Sequence, residues 1–554
     1  MNQPAKMLLS GDEAVAQAAR DAGVALGTGY PGTPSTEILE HFSALGGRGQ
    51  WAPNEKVAFE VALGAAFAGA RALVAMKHVG LNVAADPLFT AAYTGVIGAF
   101  VVVSADDPGM ASSQNEQDNR HYARAAGLPM LEPADSQEAY DFTFAAIEIS
   151  ERWKIPVLLR LTTRVCHSKT IVVQHDPPAL PPPPRFEHDP KARVMIPAYA
   201  RKAHRRLRQK LAEIQAWNET SGLNRIDEGG TSASVSPNGH RGIVTSGISF
   251  MHAREAAPAA RILKLGMTYP LPFEKIRSFV NATGKCIVIE EGDPYLAESL
   301  RAAGIAVDGK AEMYRFDELT VGRVSRILAG DTSPEPAFPP GKPPQLCQGC
   351  PHRAAFEVLR KLDCIVAGDI GCYTLGVLPP FEAMDSCVCM GASLGVGLGL
   401  RHALPPDQAR RVVSVVGDST FVHGGITGLV EMVYNPPPTG HVLIILDNGT
   451  TAMTGLQEHP GTGRTLDHRA TGRVIFEDLA RALGVRSVHV ADPTKDPEGF
   501  EQLLAGSLAG NDTTVIVCRR PCLLAAKKIK EYSATAGQPA AGKAEPAGGT
   551  HHAG

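Results

Sequence analysis

Short β-branched apolar runs alternate with amphipathic stretches along most of the chain, the pattern of layered α/β structure. In the first third the runs at residues 24–26, 72–75, 101–104 and 156–161 predict strands, and the 3.6-residue patterning over 13–22 and 54–70 predicts helices. Further runs at 242–246, 262–265 and 286–290 predict a smaller set of strands. In the last third, 412–416, 442–446 and 514–517 read as buried parallel strands, with a crossover helix over 424–434. Proline-rich stretches at 177–190 and 331–346 are linkers. The segment 222–238 reads as a polar surface loop, and 533–554 is low-complexity and expected to be disordered. The chain therefore divides into α/β domains at 1–176, 191–330 and 347–532, with two doubly wound domains flanking a smaller one.

Composition narrows the function. A chain of 554 residues is too long for one core, which agrees with three domains. A net charge of −3 argues against nucleic acid as the main partner. No run reaches the length of a membrane span, and the first residues have no signal-like apolar core, so a cytoplasmic location without membrane attachment is expected. Most of the ten cysteines fall in or near the last third, and in a cytosolic chain such clustering suggests metal or redox chemistry before disulfides.

Candidate chemistry sits at strand ends. The run 412–416 is followed by Gly417-Asp418-Ser419, and 442–446 by Asp447-Asn448-Gly449. The carboxyl ends of neighbouring parallel strands are where open α/β sheets bind ligands. Asp418 and Asn448 supply the hard oxygen ligands that magnesium bridging to phosphates wants, a backbone carbonyl at Thr450 completes such a set, and Gly417 gives a phosphate close access to the backbone. Cys347-Gln348-Gly349-Cys350, Cys372 and Cys522 offer four thiolates, suited to a cubane iron–sulfur cluster or a tetrahedral zinc, whereas Cys166, Cys286 and Cys364 fit as core residues. The loop 29–37 is stiffened by two prolines, and Ser35 is placed to cap the helix after it. Glu60 lies in an apolar run, and a buried glutamate is costly without a partner. Lys77 and His78 are candidates to meet a substrate carboxylate. No role is assigned to His423, Cys387 or Cys389.

The Gly-Asp-x motif followed thirty residues later by Asn resembles the thiamine diphosphate motif, with Ser419 in place of its second glycine. With 451–457, CPHR at 350–353, DIGCYTLG at 369–376, CMGAS at 389–393 and HPGTG at 459–463, the chain resembles the 2-oxoacid:ferredoxin oxidoreductases, most closely their indolepyruvate-type alpha subunits, over nearly all of 7–525. The resemblance implies a thiamine-binding α/β fold whose middle domain is similar to the transketolase C-terminal domain. It implies thiamine diphosphate and Mg²⁺ at Gly417, Asp418, Ser419, Asn448 and Thr450, and one [4Fe–4S] cluster on Cys347, Cys350, Cys372 and Cys522. It places Thr33 against the reacting carbons and gives Glu60 the proton of the cofactor's aminopyrimidine.

The implied reaction is oxidative decarboxylation of a 2-oxo acid, such as an arylpyruvate, to an acyl-CoA, with coenzyme A as co-substrate. Implied partners are a small gamma- or beta-type subunit in a hetero-oligomer, and ferredoxin or another redox subunit as electron acceptor. The rivals are a non-oxidative thiamine decarboxylase, which has no use for four cysteines, and a silent partner subunit, against which the intact Glu60 and magnesium motif argue. The family's alpha subunit usually continues into a ferredoxin-like domain, and no cysteine follows Cys522 here, so a single cluster is expected.

Overall fold

The structure, a computed structural model, describes residues 5–177, 179–229, 238–335 and 344–535. Two compact units emerge: the first holds residues 1–344 with Val422–Gly424, the second 345–421 with 425–554. The expected tail at 533–554 overlaps the helix Ala526–Thr535, and its remainder lies outside the described residues, as do 230–237 of the expected loop at 222–238, in which Arg225–Asp227 form a strand rather than loop.

In the first unit, β1 (Lys6–Ser10) pairs antiparallel with β8 (Lys169–Val173). A seven-stranded sheet is built from β2 (Leu26–Gly29), β3 (Gly49–Trp51), β4 (Ala72–Lys77), β5 (Phe100–Asp106), β6 (Met130–Leu131), β7 (Val157–Thr162) and β12 (Met267–Tyr269), in the order β12-β6-β7-β5-β4-β2-β3. All its pairs are parallel except β12 on β6. β4, β5 and β7 are buried along their whole length, which is why they read as continuous apolar runs rather than alternating ones. A four-stranded sheet follows, β13-β10-β11-β9, from β9 (Arg225–Asp227), β10 (Gly242–Ser246), β11 (Arg261–Leu265) and β13 (Cys286–Ile289). The segment expected as a separate small domain thus gives its own strand β12 to the edge of the first sheet.

The two sheets of this unit are joined by buried charges. Arg120 is 1 % exposed and donates to Asp118 at 2.5 Å and to Glu290 at 2.7 Å; Arg160 donates to Asp106 at 2.7 Å and to Glu132 at 3.0 Å. Burial alone would raise the Asp118 carboxyl, but the two guanidiniums outweigh it and hold the group well below the usual carboxylate range. The polar stretch after β5, which carries no legible chemistry in the sequence, is therefore the ionic seam of the unit. Removing one member of such a set strands the others without water. Arg120→Ala is expected to cost about 3–5 kcal/mol, measured by urea unfolding of the full chain.

The second unit is a parallel five-stranded sheet ordered β14-β15-β16-β18-β17, made of β14 (Ile365–Ala367), β15 (Val412–Gly417), β16 (His441–Asp447), β17 (Ser487–Ala491) and β18 (Thr513–Arg519). β15 and β16 are buried throughout. The crossover between them opens with a π turn at Phe421–Gly425 and continues as the helix Ile426–Tyr434.

Candidate active site

In the second unit the carboxyl ends of β14, β15, β16 and β18 bring the predicted residues together. Asp418 follows β15 directly and is 3 % exposed. Its Oδ1 accepts the Ser419 N–H at 2.8 Å, and its Oδ2 accepts those of Asn448 at 3.1 Å and Gly449 at 2.8 Å, so one carboxylate clamps the ends of both strands. His459 Nε2 lies 3.3 Å from Oδ2 without hydrogen-bond geometry. Burial raises the Asp418 carboxyl, but His459 and the backbone donors prevail and hold it below the ordinary range. Asp418 is thus an anion at neutral pH, the form in which a carboxylate binds magnesium.

Asn448 is held at both ends of its amide. Oδ1 accepts the Thr450 N–H at 3.1 Å, and Nδ2 donates to His352 Nε2 at 3.3 Å. Burial pushes His352 down to about 4, against the pull of Asp418, so its imidazole is neutral and can accept that hydrogen bond. Thr450 is buried and donates through Oγ1 to the Gln457 carbonyl at 3.2 Å; Ser419 Oγ accepts from Thr451 Oγ1 at 2.9 Å. A Cβ on Gly417 would lie 2.6 Å from Cε1 of Tyr373, so this buried ring by itself calls for glycine there. Tyr373 in turn donates to the Ile370 carbonyl at 2.9 Å. Asp369, buried after β14, accepts the N–H groups of Ile370 and Gly391 at 2.9 Å each and of Ser393 at 3.0 Å, tying the Cys372 loop to the start of the helix Ala392–Ala403.

The four predicted cysteines are free thiols at this same edge, Cys347 exposed and the other three half-buried. The Cys522 N–H donates to the Asn448 carbonyl at 2.9 Å, and Cys350 precedes His352 by two residues. Burial and the neighbouring Cys350, Cys522 and Cys347 push the Cys372 thiol up to about 11; Cys350 is raised by burial with Cys347 and Cys522 close by. The quartet is open rather than tight. Among the described residues, the groups that bring three ligand atoms within 4.8 Å of one another do not include it. A zinc with Zn–S of about 2.3 Å needs sulfurs roughly 3.8 Å apart, closer than any three of these thiols stand. Cys387 is half-buried and Cys389 exposed, both beside this loop.

In the first unit the expected role of Glu60 meets a correction. Glu60 is not buried: its side chain is 43 % exposed and pairs with Lys56 one turn earlier. The buried carboxylate of the helix Glu55–Phe67 is Glu55, 5 % exposed. Asn54 caps this helix by accepting the Val57 N–H at 2.9 Å, and its Nδ2 donates to the His423 carbonyl at 3.0 Å. His423 Nε2 lies 2.7 Å from Glu55 Oε2, its ring meets that of Tyr30 edge-on at 4.7 Å, and its Nδ1 is buried without a partner. The helical spacing held the signal: Glu55, Phe59, Ala62 and Ala66 recur at four, three and four residues on the buried face, while Lys56, Glu60 and Gly64 share the open one.

Thr33 is half-buried in the loop after β2, and its carbonyl is approached by Ser112 Oγ at 3.5 Å. Ser35 stands at the N-cap position of the helix Thr36–Ala44 but does not cap it; its hydroxyl donates back to the Gly32 carbonyl at 2.9 Å, while Thr36 Oγ1 accepts the Gly32 N–H at 3.0 Å. Lys77, at the end of β4, donates to the Ser112 carbonyl at 2.6 Å and is lowered to about 8 by burial, against Asp107. His78 is fully buried beside the Asn115 carbonyl at 3.1 Å and is lowered by burial.

Comparison with known proteins places this arrangement. Residues 17–209 match the profile described as pyruvate flavodoxin/ferredoxin oxidoreductase, thiamine diphosphate-binding, and 369–518 match the thiamine pyrophosphate enzyme C-terminal binding domain. Indolepyruvate oxidoreductase subunit IorA of Archaeoglobus fulgidus is 41 % identical over 94 % of this chain and 87 % of its own length. The chain belongs to the IorA family. IorA of Thermococcus kodakarensis is 38 % identical over 94 % of this chain and 86 % of its own. The 2-oxoglutarate:ferredoxin oxidoreductase of Magnetococcus marinus, solved with 2-oxoglutarate, coenzyme A and succinyl-CoA, shares the fold with a TM-score of 0.50 at 17 % identity, over 59 % of this chain and 65 % of that one. As an IorA-type chain it is the alpha subunit of a thiamine diphosphate-dependent 2-oxo acid oxidoreductase, and it is α/β throughout. No described helix is long and apolar enough to cross a membrane.

Proposed function

We propose that this chain catalyses oxidative decarboxylation of an arylpyruvate such as indolepyruvate: the 2-oxo acid and coenzyme A give acyl-CoA and carbon dioxide, with two protons and two electrons released, the electrons going to ferredoxin or a redox subunit. The observation that carries this reading is the Cys522 N–H on the Asn448 carbonyl at 2.9 Å, which sets one of the four cysteines directly against the diphosphate-side motif. A decarboxylase without redox chemistry has no need of that link.

Asp418, Asn448 and the Thr450 carbonyl hold Mg²⁺ and through it the diphosphate, with His352 and Asp369 fixing the loops they stand on. Cys347, Cys350, Cys372 and Cys522 hold one [4Fe–4S] cluster, which accepts electrons one at a time. Thiamine diphosphate supplies the electron sink that lets carbon dioxide leave. Glu55 takes the place expected of Glu60: it holds and returns the aminopyrimidine proton, steadied by His423. Thr33 faces the reacting carbons. A small gamma-type subunit completes a cytoplasmic hetero-oligomer; the naming of the relatives as subunits supports the hetero-oligomer.

The test is an anaerobic assay of the complex with a panel of 2-oxo acids, with and without coenzyme A. Electron transfer that requires coenzyme A and is fastest with arylpyruvates is expected, with about four irons per chain. Cys350→Ser is expected to abolish electron transfer while leaving thiamine diphosphate affinity unchanged. Aldehyde formed without coenzyme A, or zinc in place of iron, overturns the reading.

A further inference from the structure

A cluster outside the cofactor machinery has the makings of a metal site. Asp12, in the first turn of the helix Gly11–Asp21, is fully buried, and neither of its carboxylate oxygens has a hydrogen-bond partner. Glu37, in the first turn of the helix Thr36–Ala44, and His167, closing the helix Thr163–His167, stand over it. One ligand atom from each of the three lies within 4.8 Å of the others. The remaining neighbours, the Cys166 thiol and Glu13, do not neutralise Asp12: the thiol lies near enough to lower its carboxyl somewhat but lacks hydrogen-bond geometry, and burial outweighs it, while Glu13 is spent on the Ser10 N–H and Lys169. The backbone is shaped to hold Asp12 here. A Cβ on Gly11 would lie 2.3 Å from the Val165 carbonyl oxygen, so the two helices meet at a distance only glycine permits.

A buried carboxylate with no donor is costly unless a proton or a cation neutralises it. We infer that Asp12, Glu37 and His167 form a site for a first-row divalent cation, of the zinc or manganese class, that ties three helix ends together. The donor set, one imidazole nitrogen and two carboxylate oxygens, suits such ions better than a calcium- or thiolate-type site. Glu37 and His167 are exposed, so the cation has a way in from solvent. Without it, burial and the adjacent Glu37 push the Asp12 carboxyl well above its ordinary range, so proton and cation compete for the same oxygens. The helix Thr36–Ala44 continues directly from the loop that carries Thr33, and a cation at Glu37 therefore steadies that loop from outside the reaction.

The experiment uses the full chain, stripped with chelator and kept free of thiamine diphosphate, titrated with Mn²⁺, which thiolates bind poorly. Free Mn²⁺ is counted by its paramagnetic resonance signal. His167→Gln and Glu37→Gln alter exposed side chains and leave the fold and the Asp418 motif untouched. One more Mn²⁺ per wild-type chain than per variant chain is expected at 100-fold excess over the dissociation constant, together with a Mn²⁺-dependent rise in melting temperature that both variants lack. Equal Mn²⁺ stoichiometry in wild type and both variants overturns the site and leaves Asp12 as a protonated carboxyl. Because the readout is binding, it stands or falls apart from the proposed reaction.

Discussion

Glu55→Gln is expected to lower turnover by about 10²–10⁴-fold, the usual contribution of an acid–base group, while Glu60→Gln leaves it near wild type. Glutamine keeps the shape and the hydrogen-bonding capacity of Glu55 but cannot exchange a proton. Glu55 is 5 % exposed with His423 at 2.7 Å, so the lost carboxylate has no substitute from water. Glu60, by contrast, forms an exposed pair with Lys56 that solvent screens, so it adds little to the helix. Both variants are to be assayed by 2-oxo acid-dependent dye reduction, with cofactor affinity measured separately by calorimetry. Equal losses in the two, or none in Glu55→Gln with cofactor bound, remove Glu55 from the proton path.

The exchange of one glutamate for another shows where sequence patterning reaches its limit. In the helix Glu55–Phe67 small and apolar residues occupy both faces, with Val61 37 % exposed, so an apolar neighbourhood in sequence is not a buried one in space. The strand-end motifs read more directly, because continuous apolar runs fix β15 and β16 and the polar residues that follow must stand at their carboxyl ends. What surrounds them was not legible. His352 and His459 lie far from Asp418 and Asn448 in sequence, and their roles depend on burial and on a partner that the fold alone supplies. The crowding of Gly417 by Tyr373 is likewise invisible in the sequence, since that ring comes from another loop. Asp12 gave no signal at all: an acid in the first turn of a helix is ordinary, and only its missing partners single it out.

Asp418→Asn is expected to weaken thiamine diphosphate binding in the presence of Mg²⁺ more than Asp418's hydrogen bonds alone account for. The amide oxygen can still accept from two of the three N–H groups that the carboxylate holds at 2.8–3.1 Å, so the ends of β15 and β16 stay together. What disappears is the charge that His459 and those donors preserve in a buried setting. His352→Ala supplies the comparison. It removes the acceptor for Asn448 Nδ2 and frees the amide to turn, without touching the charge. Losses from supporting residues of this type run to roughly 10–100-fold in metal affinity, and His352→Ala should fall in that range. Asp418→Asn should exceed it, with the melting temperature of the cofactor-free chain little changed. Calorimetry at fixed Mg²⁺ decides between them. If Asp418→Asn binds thiamine diphosphate as tightly as His352→Ala or better, the anion at the end of β15 is not the ligand, and the metal must be held by other oxygens.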